Sequence, residues 1–182
     1  MAKEYSDSLT RLRKIVKRDY SRLTSTKAVG EIKDLLYLFV DNCPSNAGPE
    51  KAMKFVDFDI KNGCEYSRLK KKIINELALK KGVSYKYCEN GNKMESLIDE
   101  IETIYSTRRK AVIFFSKGSN GEMDSLFIRI RNSFAHGNYF KVRDYYYLWN
   151  ETGSGTKKLG SFMVLKYKDL MAIYDALSGV MK

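Results

Sequence analysis

The chain has 182 residues, of which 33 are basic and 22 acidic, so its formal charge is +11 at neutral pH. This length suits one domain, and a chain of this size can bury a hydrophobic core without disulfide bonds. No uncharged stretch approaches about 18 residues, and the three cysteines are far apart in the sequence, which excludes a membrane span and a disulfide framework. We expect a soluble, reduced, cytoplasmic protein that forms a single domain over residues 1–182, without a membrane partner.

The excess of basic residues favours a polyanionic partner, because Lys and Arg side chains neutralise phosphates and release their counterions. Nucleic acid is therefore the first candidate partner. The single histidine and the scattered cysteines lack the close spacing that zinc ligands have, so the sequence predicts no metal site and no cofactor.

The first half of the chain has the periodicity of amphipathic helices. Apolar residues at intervals of three and four predict a first helix that begins after Ser6 or Asp7. The same pattern predicts helices around residues 29–40 and 66–77. A proline followed by a small polar segment ends the second of these helices, because proline disfavours helix in the residue before it.

The first predicted helix carries basic residues on the side opposite its apolar face. Arg11, Lys14 and Arg18 recur at helical spacing. They form either an ordinary solvated face or a stripe that contacts RNA, and we keep them as candidate RNA-binding residues.

The middle of the chain continues the helical pattern. Apolar residues between Met94 and Tyr105 predict another helix, and the apolar run Ala111–Phe115 is expected to prolong it to Ser116. A further helix is predicted to begin near Glu122. It leads into the segment that contains the only histidine of the chain.

After that segment the period changes. Residues 139–149 and 158–165 are rich in aromatic and β-branched residues, and residues 150–156 have the composition of a turn. They predict a small β-hairpin at about 139–165, followed by a final helix. The predicted fold class is all-α, a helical bundle with this C-terminal hairpin.

The strongest functional signal lies at the end of the helix that begins near Glu122. His136 follows Arg131 and Asn132 by five and four residues, and Gly137 stands where a helix C-cap glycine would. An imidazole can move a proton near neutral pH, and a guanidinium keeps its charge beside a phosphate. On an ideal helix, Asn132 and His136 share one face, whereas Arg131 lies about 140° away.

The segment Arg131-Asn132-Ser133-Phe134-Ala135-His136 resembles the signature of the HEPN superfamily, which is Arg, then usually Asn or another polar residue, a few further residues, and His. The resemblance implies a HEPN-like helical bundle and a metal-independent endoribonuclease, of the kind found as prokaryotic toxins and phage-defence effectors. It implies that a ribose 2′-hydroxyl attacks the adjacent phosphate while His136 acts as general base or acid. Arg131 would stabilise charge on the phosphate, and Asn132 would hold the imidazole or contact a phosphate oxygen.

The resemblance also implies partners. HEPN ribonucleases form a composite site from two copies, so the resemblance implies a homodimer. It also implies RNA as a partner, together with an antitoxin or another protein of a defence system. In the branch paired with nucleotidyltransferase antitoxins, a modified tyrosine lies two residues after the histidine. Here Asn138 holds that position and Tyr139 comes one residue later, which argues against regulation by that route.

Two residues near the motif, Arg129 and Tyr139, are further candidate RNA contacts. Two alternatives remain open. The first alternative to the ribonuclease is a non-catalytic HEPN module that binds RNA, a nucleotide or a protein. The second is a helical adaptor in which the motif is a coincidence. In the adaptor, Arg131 would be a buried arginine paired with an acid, and His136 a helix-end residue favoured by the helix dipole.

Overall fold

The structure, a computed structural model, describes residues 4–17, 26–44, 54–107, 111–118 and 121–179. The helices are α1 (Asp7–Lys17), α2 (Thr26–Leu36), α3 (Gly63–Glu76), α4 (Gly91–Glu95), α5 (Ile98–Thr107), α6 (Glu122–Ala135) and α7 (Tyr167–Ser178). The strands are β1 (Tyr85–Cys88), β2 (Val112–Ser116), β3 (Tyr139–Val142), β4 (Tyr145–Thr152) and β5 (Lys158–Lys166). A π-helical turn (Tyr37–Asp41) continues α2, and a 3-10 turn spans Phe55–Phe58. None of the described helices is long and apolar enough to cross a membrane.

The five strands form one mixed sheet in the order β1-β2-β5-β4-β3. β1 runs parallel to β2, and the other three neighbouring pairs are antiparallel. The predicted all-α fold class is therefore wrong, because the chain has an α/β fold. The predicted hairpin is present as β4 and β5, but these strands belong to the larger sheet.

Strand β1 was not predicted, and two further segments differ from the prediction. The apolar run that was expected to prolong a helix to Ser116 is strand β2, which lies between β1 and β5 and is buried along its whole length. A short apolar run fits a buried helix and a central strand equally well, so periodicity does not separate them. The predicted first strand, 139–149, is in fact two strands, because the chain turns at Arg143, which has a φ of 55°, and Asp144.

Helices cover both faces of the sheet, so the molecule has three layers. α2, α3, α6 and α7 pack on one face, and α1, α4 and α5 pack on the other. Successive residues of a strand point to opposite faces. Tyr146 and Leu148 of β4 therefore join the first core, whereas Tyr147 and Trp149 join the second.

Helix α6 carries the motif and is fixed firmly at its C-terminal end. Its apolar side chains pack against the sheet, and its last helical residue is Ala135. Gly137 has a φ of 67°, and its N–H donates to the carbonyl of Phe134 at 3.1 Å, while the Asn138 N–H donates to that of Ser133 at 2.8 Å. This pair of bonds is a Schellman cap. It confirms the predicted C-cap glycine and turns the chain from α6 directly into β3.

Candidate functional site

His136 lies at the surface, at the C-cap of α6. Its backbone N–H donates to the carbonyl of Asn132 at 3.1 Å, and its side chain is exposed. The imidazole forms no hydrogen bond with any residue that the structure describes. The backbone at this position is thus fixed by the helix cap, whereas the ring is open to a ligand.

Arg131 is half-buried on the last turns of the same helix. Its Nη1 donates to Oδ1 of Asn132 at 3.1 Å, and its Nε is buried without a hydrogen-bond partner among the described residues. Burial raises the pKa of the nearby Cys43 thiol, and the positive charge of Arg131 acts in the opposite direction. Arg131 therefore faces the segment that follows α2. Asn132 accepts a hydrogen bond from the guanidinium and forms none with the imidazole, although holding the imidazole is one of the two roles that the resemblance implies for it.

Aromatic rings support the end of the motif helix. Phe134 stacks on Phe39 of the π-helical turn, with ring centroids 5.9 Å apart, and lies 5.1 Å from the ring of Tyr139. Tyr139, a candidate RNA contact, is half-buried beside Phe134 at the start of β3. These contacts join α6, the end of α2 and β3 around the motif.

Arg129, another candidate RNA contact, is instead buried between α6 and the sheet, with 8% of its surface exposed. Its Nη1 donates to Oδ1 of Asn150 at 2.8 Å, and its Nη2 donates to Oγ of Ser116 at 3.1 Å. No described acid forms an ion pair with it, and burial lowers its pKa. A buried guanidinium cannot reach RNA, so Arg129 serves to fix α6 on β2 and β4. Sequence reasoning missed this role because its neutral partners lie on distant strands.

The basic stripe of α1 is partly neutralised. Arg11 forms ion pairs with Asp99 and Glu102 of α5, each at 2.7 Å. Lys14 is exposed and forms no ion pair with the described part of the chain. Arg18, the third residue of the stripe, lies outside the described residues. Among the residues of this stripe that the structure describes, only Lys14 therefore has a charge that is open to a ligand.

The motif supplies side-chain types that can transfer a proton and bind a phosphate, but no cluster of metal ligands among the described residues. Within the described ranges, no group of three or more His, Cys, Asp or Glu side chains is arranged to hold a metal ion. The side chains that the motif provides are an imidazole, a guanidinium and an amide.

A comparison with known protein families gives one finding. A family model described as HEPN pEK499 p136 matches residues 60–182. The match runs from just before α3 to the end of the chain and includes the whole motif helix. No curated protein and no solved structure gives a significant match to the chain.

Proposed function

The chain belongs to the HEPN pEK499 p136 family, and from that premise we propose that it is a metal-independent endoribonuclease. The observation that carries the proposal is the complete motif at the end of α6, with His136 exposed at the helix cap and Arg131 held by Asn132. The substrate is RNA, because only RNA has the 2′-hydroxyl that attacks the adjacent phosphate.

Each side chain of the motif has a distinct role in this proposal. The exposed imidazole of His136 transfers the proton of the attacking hydroxyl or of the leaving group, a role worth about 10²–10⁴ in rate. The Arg131 guanidinium stabilises the charge that develops on the phosphate. Asn132 acts as a positioning residue, since its amide oxygen accepts a hydrogen bond from Arg131 at 3.1 Å.

We further propose that the active form is a two-fold homodimer. On an ideal helix Arg131 and His136 diverge by about 140°, and His136 lies just beyond the last helical residue. Closed two-fold pairing is the commonest form of oligomer, and it would bring each motif beside its own copy. A cleft shared by two chains could then present both groups to one phosphate.

The enzymatic proposal is tested by incubating the purified protein with total RNA and following the products on a gel. His136→Ala and Arg131→Ala should each abolish cleavage without changing the circular dichroism spectrum. Lys168→Ala, an exposed change on α7, is the matched control and should cleave normally. Cleavage by both motif variants at the parent rate would refute the proposal.

The dimer is tested by sedimentation and by subunit exchange. Mixing inactive Arg131→Ala with inactive His136→Ala should restore part of the activity if one cleft draws an arginine and a histidine from different chains. A protein that sediments as a fully active monomer at nanomolar concentration contradicts the shared cleft.

A toxin or phage-defence role follows from the proposed chemistry, because an active endoribonuclease of this kind depletes cellular RNA. Expression should arrest growth, and His136→Ala should remove the arrest.

One observation favours the alternative of a non-catalytic HEPN module that binds RNA, a nucleotide or a protein. The His136 imidazole has no orienting hydrogen bond among the described residues. Retained RNA binding without cleavage by the parent chain would establish that alternative.

A further inference from the structure

A cavity of about 670 Å³ opens beside β1, an edge strand of the sheet, at the end of α6 opposite the motif. Residues of α3, β1, α4 and the first turn of α6 line it. Helix α6 has 14 residues, so the cavity lies roughly 20 Å from the motif along this helix at 1.5 Å per residue. It is a separate site, which we name the lysine pocket.

Four cations line the lysine pocket, namely Lys70, Lys81, Lys86 and Lys93, against two acids, Glu89 and Glu122. Lys81 is exposed and has no ion-pair partner in the described parts of the chain. Lys93 is paired only with the exposed Glu89, at 2.9 Å. Surface pairs of this kind are weak, so the Lys93 charge remains accessible to a stronger anion.

The other two lysines are held in place by acids. Lys70 forms an ion pair with Glu122, which also accepts a hydrogen bond from the Tyr85 hydroxyl at 2.9 Å. Lys86 forms an ion pair with Glu100. An ammonium group has three N–H donors, so each of these lysines keeps donors for a ligand while its position is fixed.

The lining of the pocket also includes apolar surface. The ring of Tyr87 is half-buried and lies 5.2 Å from that of Phe115, and Leu97 of the turn after α4 is also half-buried. The cavity volume lies within the range of small-molecule sites, which combine apolar walls with a few polar groups. The chemistry is therefore that of a ligand with an anionic end and an apolar or flat end.

We propose that the lysine pocket binds a small phosphorylated molecule, whose phosphates contact the lysines and whose apolar portion lies against Tyr87 and Leu97. Lysine is a common phosphate ligand because it is a compact positive charge. The apolar surface of Tyr87 and Leu97 beside the lysines favours a small molecule with an apolar portion over the sugar-phosphate backbone of an RNA strand. This binding does not depend on the proposed cleavage of RNA.

The experiment is isothermal titration of the full chain with inorganic tripolyphosphate and with a nucleoside triphosphate. We expect saturable binding of both probes. The nucleoside triphosphate should bind more tightly, because only that probe has a ring that can pack against Tyr87 and Leu97. The double variant K81S/K93S should bind at least about tenfold more weakly, since two charged contacts are removed. The matched control K71S/K168S loses the same charge at exposed positions outside the lining and should bind normally.

Several outcomes would overturn the proposal. They are the absence of saturable binding, an equal loss in both double variants, or binding in which the ring gives no gain. A short RNA is titrated as a third probe. If K81S/K93S weakened the binding of that RNA and of neither phosphate probe, the lysines would be assigned to RNA instead. Repeating the titration with His136→Ala separates this site from the motif, because the binding should be unchanged whether or not the parent chain cleaves RNA. Thermal unfolding of each variant checks that it is folded.

Discussion

Gly160→Ala tests whether the buried guanidinium of Arg129 fixes the motif helix. A Cβ at position 160 of β5 would lie 2.9 Å from Nη1 of Arg129, 3.1 Å from its Cζ and 3.2 Å from the carbonyl oxygen of Asn150. The guanidinium cannot move freely, because it donates to Asn150 and Ser116. The added methyl group therefore either strains the core or displaces Arg129 from a partner.

Both consequences have similar magnitudes. Overpacking a core costs about 1–3 kcal/mol, and the loss of a hydrogen bond to a charged group costs about 1.5–3 kcal/mol. Because the two are alternatives, we expect a loss of about 2–3 kcal/mol in the free energy of unfolding. With a urea dependence of about 2 kcal/mol per molar, the unfolding midpoint should fall by about 1–1.5 M.

The assay is urea unfolding followed by circular dichroism, with Gly30→Ala as control. Gly30 is an exposed residue of α2, and a Cβ there meets no atom within 4 Å, so that change should stabilise the helix by up to about 1 kcal/mol. In an Arg129→Met background, Gly160→Ala should cost clearly less, as a double-mutant cycle would show. An equal cost in both backgrounds would refute the contact between Gly160 and Arg129.

Three further predictions concern thiols, charge and metal. A thiol reagent should modify exposed Cys64 quickly and Cys43 and Cys88 slowly, because burial raises the pKa of the latter two and so lowers their thiolate fraction near neutral pH; one common rate in the folded protein would contradict this. Lys14→Ser should weaken RNA binding and its salt dependence more than Arg11→Ser, since Arg11 is already paired with two acids of α5; equal losses would argue against it. RNA cleavage should survive EDTA and leave 2′,3′-cyclic phosphate or 3′-phosphate ends, whereas activity that EDTA removes and Mg²⁺ restores would refute the proposed chemistry.

The sequence predicts the helices of this fold better than its sheet. Amphipathic periodicity identifies α1 and α3, because each buries one apolar stripe and leaves its other side at the surface. It also identifies α6, although nine of the 14 residues of that helix are buried. β2 is buried on every residue, so it has no alternation to detect. β1 has only four residues, and its place in the sheet comes from parallel pairing with β2, a distant partner that no local pattern specifies.

The site shows the same division between local and distant information. The Schellman cap at Gly137 is local, so the sequence predicts both the end of α6 and the position of His136 on it. The burial of Arg129 depends on Asn150 and Ser116, which lie on two other strands. Spacing within α6 alone made Arg129 look like a neighbour of the motif, and only the sheet shows that it is part of the core.

Helix α6 connects the two proposed sites through this buried contact. Glu122 in its first turn lines the lysine pocket, Arg129 in its middle binds side chains of β2 and β4, and His136 caps its end. Because the middle of the helix is fixed to the sheet and its end is fixed by backbone hydrogen bonds, the fold determines where the motif backbone lies. The fold leaves the His136 ring without a described hydrogen-bond partner. In the proposed ribonuclease, the imidazole would therefore be oriented beside a guanidinium by a ligand or by the second chain of the proposed dimer.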